Sequence, residues 1–255
     1  AMNNVGLCHG NGLGVTQDKT KAFEWYLKSA SNGCAAGMYN VALCYHSGTG
    51  VTQDKTKAFE WFLKSAINED VDAMFNVGWC YDKGEGVTQD KAKAFEWYLK
   101  SANNGNADAM FNVGLCHEKG QGVTQDLTKA FEWYLKSTSN KRVNVMNRVG
   151  LCYFKGKGVT QDFTQACEWY LQSAINGYSL AMNNVGWCYS KGQGVAQDNA
   201  KAYEWYLKSA ISGNTGAMFN VGMCYSHGRG VRLDFTKGLE WYLKSAENGN
   251  ADAMF

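Results

Sequence analysis

Apolar and polar positions along this chain follow two alternating helical patterns. Over residues 73–81 (Ala-Met-Phe-Asn-Val-Gly-Trp-Cys-Tyr) the face formed by 74, 77, 78 and 81 has the i, i+3, i+4, i+7 spacing of an amphipathic helix, helix A. Gly78 lies on that face without a side chain, so a neighbouring helix can approach closely. Gly84-Glu85-Gly86 supplies two residues suited to positive φ and predicts that helix A ends at Gly84. Val87-Thr88-Gln89-Asp90 follows, with Asp90 the expected N-cap of helix B, Lys91 to about Asn103. Ala94, Trp97, Tyr98, Ser101 and Ala102 form one side of helix B, and Phe95 and Leu99 widen its apolar arc. A helix apolar over most of its girth needs cover on several sides, so helix B is expected between its own helix A and the next one. Gly105 is its expected left-handed stop.

The pattern repeats every 36 residues. Cys recurs at 8, 44, 80, 116, 152, 188 and 224, and Trp at 25, 61, 97, 133, 169, 205 and 241. The Asp90 position holds Asp in every copy. Self-similarity at this period marks a solenoid of stacked helical hairpins. The expected fold is all-α: a single array of about seven helix-turn-helix repeats over residues 1–255. Ala1 aligns with Ala73 and Phe255 with Phe75, so both ends are expected inside a helix A. Two copies replace the Gly105-type residue with Glu69 and Lys141, and there the preceding Asn68 and Asn140 are expected to take the left-handed conformation.

Charge and composition narrow the function. The chain has 25 Lys and Arg against 23 Asp and Glu, spread evenly, unlike the basic footprint of a nucleic-acid binder. No apolar run reaches the roughly 18 residues of a membrane-spanning helix. Equivalent cysteines of successive units should lie about 8–10 Å apart, beyond the roughly 7 Å Cα limit for a disulfide. The repeated Cys therefore reads as a small core residue in a reducing compartment, the cytoplasm, with Cys34 and Cys167 as strays.

Gly-x-Gly-Val-x-x-Asp, Lys-Ala-x-x-Trp-Tyr and Ala-x-x-x-Val-Gly-x-x-Tyr-x-x-Gly together resemble the Sel1-like repeat, a relative of the tetratricopeptide repeat with a longer loop between its helices. The resemblance covers all seven units. It implies a right-handed superhelix with helices A on the concave wall, and a non-enzymatic adaptor or scaffold role. A bacterial branch of that family carries paired cysteines in each repeat and has been linked to penicillin binding. One Cys per unit departs from that branch.

The chemistry-bearing residues mostly belong to the repeat itself. The Gly-x-Gly loops join two helices and lack the further residues of phosphate-binding loops. Cys116-His117-Glu118 and Cys8-His9 have no metal-ligand spacing. No catalytic residue, metal site or cofactor is expected, which leaves a hydrolase-like enzyme as the least favoured reading. The Trp97 column is expected to pack between helices.

Binding should instead show where copies differ on one face of helix A. The Asn76 position holds Asn40, Asn112, Asn184 and Asn220 in other copies and Arg148 in the fifth; such an amide can hold an extended peptide, or bond a neighbouring helix end or loop. Tyr39, Phe75, Trp79 and Phe111 are expected to form one aromatic strip, with Trp187 and Phe219 in the same columns further along. Glu69, Asp70 and Asp72 make an acidic junction, and Lys141, Arg142 and Arg148 a basic one. The leading expectation is a scaffold holding a peptide or partner protein on the concave helix-A face. The alternative is a structural unit that self-associates end to end, or a window of a longer array.

Overall fold

The computed structural model describes residues 1–140 and 142–249. Among them are fourteen α-helices, one 3-10 turn (Thr138–Asn140) and no strand. The helices A are α1 (Met2–Asn11), α3 (Ala35–Ser47), α5 (Val71–Lys83), α7 (Ala107–Lys119), α9 (Val143–Lys155), α11 (Ser179–Lys191) and α13 (Thr215–His227). The helices B are α2 (Lys19–Ser31), α4 (Lys55–Ile67), α6 (Lys91–Asn103), α8 (Leu127–Ser137), α10 (Phe163–Ile175), α12 (Asn199–Ile211) and α14 (Phe235–Glu247). The chain forms two compact units, residues 1–126 and 127–255. Within each, helices pack in series, each against the one before and the one after.

Local chemistry sets the helix ends. Asp90 accepts the backbone N–H of Lys93 at 3.0 Å, and Asp18, Asp54, Asp162, Asp198 and Asp234 cap their helices in the same way. α5 ends on Gly84 at φ 73°, ψ 31°. In all copies but the seventh, which has Leu233, a loop glutamine precedes the capping Asp and closes the turn: Gln89 Nε2 donates to the carbonyl of Asp82 at 2.7 Å, and Gln53 and Gln161 bond the carbonyls of His46 and Phe154 at 2.8 Å. Ser101 is fully buried and donates to the Val71 carbonyl at 2.8 Å, tying the end of helix B to the start of its own helix A. That bond satisfies a hydroxyl that burial would otherwise penalise.

Two glycine positions hold the packing. A Cβ on Gly78 would lie 2.7 Å from the Tyr98 ring, so the close approach needs glycine. The second copy has Ala42 there, opposite Phe62 instead of Tyr. A Cβ on Gly86 would collide with the Lys55 carbonyl in the first turn of the preceding helix B.

One sequence expectation is corrected. At the end of α4 the left-handed residue is Glu69, φ 65°, whereas Asn68 stays at φ −88°. The Asn68 amide donates to the Lys64 carbonyl at 2.8 Å and closes the last helical turn, as Asn104 does to Lys100. Positive φ therefore falls one residue later, at the position Gly105 occupies after α6. Asn140 is the last residue of the 3-10 turn and does not take positive φ, and Lys141 lies outside the described residues, as do Met254 and Phe255. The Trp97 column packs between helices as expected: Trp97 is half-buried against the core of the preceding repeat and its own helix A, with Lys100 Nζ 4.3 Å from its ring centre, while its neighbour Tyr98 is the fully buried ring, 3% exposed. Cys167, outside the repeated column, is buried in one cluster with Cys188 of the next repeat, and the two thiols interact. All nine cysteines are free thiols.

Candidate functional site

The sequence-predicted residues all lie on helices A. Tyr39 and Asn40 (α3), Phe75, Asn76 and Trp79 (α5), and Phe111 and Asn112 (α7) belong to the first unit. Asn184 and Trp187 (α11) and Phe219 and Asn220 (α13) belong to the second. Every one of them is half-buried, able both to pack and to meet a ligand.

Four of the five asparagines bond a side chain of the preceding helix A. Asn40 Nδ2 donates to Asn3 Oδ1 at 2.8 Å, Asn184 to Asn147 Oδ1 at 2.9 Å, and Asn220 to Asn183 Oδ1 at 2.9 Å. Asn76 donates to the Tyr39 hydroxyl at 3.3 Å and to the Asp72 carbonyl at 2.9 Å. Each acceptor side chain sits in the Phe75 column of the preceding repeat. Phe75 itself has no oxygen, and Asn112 accordingly has no hydrogen-bond partner among the described residues. An amide has two N–H donors and a carbonyl oxygen, so a ladder using one N–H leaves capacity for a ligand. Arg148 stacks its guanidinium over Tyr134, 5.6 Å from the ring centre.

The aromatics divide into two sets. Tyr39, Phe75 and Phe219 lean on the rings of their own hairpins, Phe62, Tyr98 and Tyr242, at 5.8, 5.7 and 5.4 Å. Trp79 and Trp187 reach back to the preceding helix A, meeting His46 at 5.7 Å and Phe154 at 5.0 Å. Cavities open beside these residues. In the second unit one of about 250 Å³ is bounded by Leu151, Phe154, Tyr170, Asn184 and Trp187. A neighbouring one of about 250 Å³ includes Trp187, Phe219, Asn220, Met223 and Arg229. In the first unit, Tyr26, Asn40 and Leu43 border a cavity of about 170 Å³.

Sequence reasoning missed a pair of positions nine residues apart, the Asp82 and Lys91 columns. Lys91 Nζ donates to Asp82 Oδ1 at 2.8 Å. Burial alone would raise the Asp82 carboxyl, but hydrogen bonds from Lys91 and Lys83 outweigh it and hold the group below its ordinary value. In the second copy Lys55 Nζ lies 3.0 Å from His46 Nε2 and 3.1 Å from Glu85. In the fifth, Phe154 and Phe163 meet as rings at 5.4 Å. The two columns match in chemistry in the second, third and fifth copies but not throughout, since the fourth has Glu118 with Leu127 and the seventh Ser226 with Phe235.

The described residues contain no group of three His, Cys, Asp or Glu able to hold a metal. No described helix is long and apolar enough to cross a membrane.

The Sel1 repeat family model matches residues 1–34, 35–70, 71–106, 107–141, 143–178, 179–214 and 215–250. Among solved structures, a protective antigen of uropathogenic Escherichia coli displaying an SLR fold is 33% identical, with a TM-score of 0.95. The match covers 100% of this chain and 54% of that one, so the chain spans about half the length of this relative. A Sel1 repeat protein from Oxalobacter formigenes is 28% identical with a TM-score of 0.80, over 99% of this chain and 73% of that one. No curated protein matches the sequence. Seven tandem matches on seven helical hairpins show that the chain belongs to the Sel1 repeat family, whose members generally mediate protein–protein interaction.

Proposed function

We propose that this chain is a non-enzymatic scaffold that holds an extended peptide segment of a partner protein along its concave helix-A face. The observation that carries the reading is the pair of adjoining cavities in the second unit, which share Trp187 and each have a ladder asparagine, Asn184 or Asn220, on the wall. Such a groove provides apolar sockets for alternate side chains and amides for a peptide backbone. Tyr39, Asn40, Phe75, Asn76, Trp79, Phe111 and Asn112 give the first unit a second, more charged stretch of the same kind. Nine free thiols support placement in a reducing compartment, the cytoplasm.

The test is cross-linking mass spectrometry on the complex captured by the intact chain, repeated with Trp187→Ala. Cross-links confined to the helix-A faces and lost in the variant are expected. Cross-links confined to helices B overturn the proposal. Light scattering over a dilution series addresses end-to-end assembly: a stable monomer argues against it.

A further inference from the structure

At five repeat junctions an aromatic side chain of helix B meets, edge-on, an aromatic side chain of the next helix A. Phe23 meets Tyr45, Phe59 meets Tyr81, Phe95 meets His117, Phe131 meets Tyr153 and Tyr203 meets Tyr225. Their ring centres lie 5.2–5.6 Å apart with planes at 82–85°. The fifth copy breaks the series. Cys167 stands where the helix-B ring should be, and among the described residues Tyr189 has no edge-on partner.

The space is not refilled. A cavity of about 140 Å³ lies there, bordered by Cys167, Leu171, Val185, Tyr189 and Val195. Cys167 and Val185 are buried, whereas Thr164 and Glu168, which also border the cavity, are exposed and mark its entrance. Lys201 Nζ sits 5.5 Å from the Tyr189 ring centre, as Lys57, Lys93 and Lys237 sit over Tyr45, Tyr81 and Tyr225. Tyr189 is therefore oriented like its counterparts. Cys167 is held by its Sγ, which donates to the Gln193 carbonyl at 3.5 Å. Close-packed interiors relax only partially around a missing group. An apolar cavity of about 150 Å³ in an unrelated protein is large enough to take benzene.

We propose that the junction between the fifth and sixth repeats is a binding site for a small monocyclic aromatic molecule, which takes the place of the ring missing at Cys167 and stacks edge-on against Tyr189. Leu171, Val185 and Val195 give the cavity apolar walls, and the tyrosine ring sets the preference for an aromatic over a saturated ring of equal size. The site lies apart from the helix-A cavities and stands or falls independently of the peptide-binding proposal.

The test titrates phenol and cyclohexanol into the intact chain, followed by NMR shifts of Val185, Tyr189 and Val195 and by the melting temperature. Saturable one-to-one binding of phenol is expected, with shifts confined to these residues, a raised melting temperature, and affinity about tenfold above that of cyclohexanol. Cys167→Phe should raise the melting temperature and weaken phenol binding by about tenfold or more. If that variant fails to fold, Cys167→Leu, the residue this column holds at Leu239, gives the same reading. The proposal is overturned by non-saturable or scattered shifts, by equal affinity for the two probes, or by undiminished phenol binding in the filled variant.

Discussion

Phe154 on α9 meets Trp187 on α11 edge-on, with ring centres 5.0 Å apart and planes at 84°. Trp187 thereby joins two successive helices A and forms part of the wall of both helix-A cavities described in the second unit. Removing it should reduce partner affinity by about 2 kcal/mol or more, roughly 30-fold, as for an interface hot spot. Trp79→Ala should act similarly in the first unit, and Asn184→Ala should lose about 0.5–1.5 kcal/mol. Calorimetric titration with the partner reads these losses, and melting curves check folding. If either Trp variant melts as low as Tyr98→Ala, that column is core and the binding face loses its anchor.

The two adjacent aromatic columns of helix B separate by burial. Tyr98→Ala removes a ring that is 3% exposed and should cost about 3–5 kcal/mol of stability. Trp97→Ala removes a half-buried ring whose cation contact contributes about 0.5–1 kcal/mol. Its total effect should be less than half that of Tyr98→Ala. Urea unfolding of the two variants decides, and equal losses would contradict the assignment.

Gly86 and Gly14 offer a paired experiment on the repeat junction. Their φ angles are 71° and 72°, so alanine meets the same backbone strain at both, about 1–2 kcal/mol. A Cβ at Gly14 meets nothing within 4 Å, whereas at Gly86 it meets the Lys55 carbonyl. Gly86→Ala should therefore cost a further 1–3 kcal/mol, roughly, through overpacking. Matching unfolding free energies for the two variants would show that the junction yields.

Thiol reactivity follows local environment. Burial pushes the Cys80 thiol up to about 12, leaving about one part in ten thousand as thiolate at pH 8. The half-buried Cys34 is held below its ordinary value, first by a hydrogen bond from Ser29. In the native protein at pH 8, Cys34 should react well before Cys80, and all nine thiols should count as free after denaturation. Simultaneous labelling, or a disulfide between repeats, would refute the burial pattern.

What the sequence by itself determined is everything that repeats. The 36-residue period, the Asp90 cap, the Gly84 stop and the close approach at Gly78 all follow from rules acting within a few residues. So does the candidate face, because helical spacing alone puts residues 75, 76 and 79 together. Tertiary structure decided which of two adjacent rings, Trp97 or Tyr98, enters the core, since both fall on the same broad apolar arc. It decided that Asn76 bonds Tyr39, 37 residues earlier, because only stacking brings the amide and the hydroxyl into register. It also decided that Cys167 leaves a cavity. A smaller residue can be refilled by its neighbours or leave a void, and only the packed junction, with Leu171, Val185 and Val195 held by their own helices and loop, shows the void.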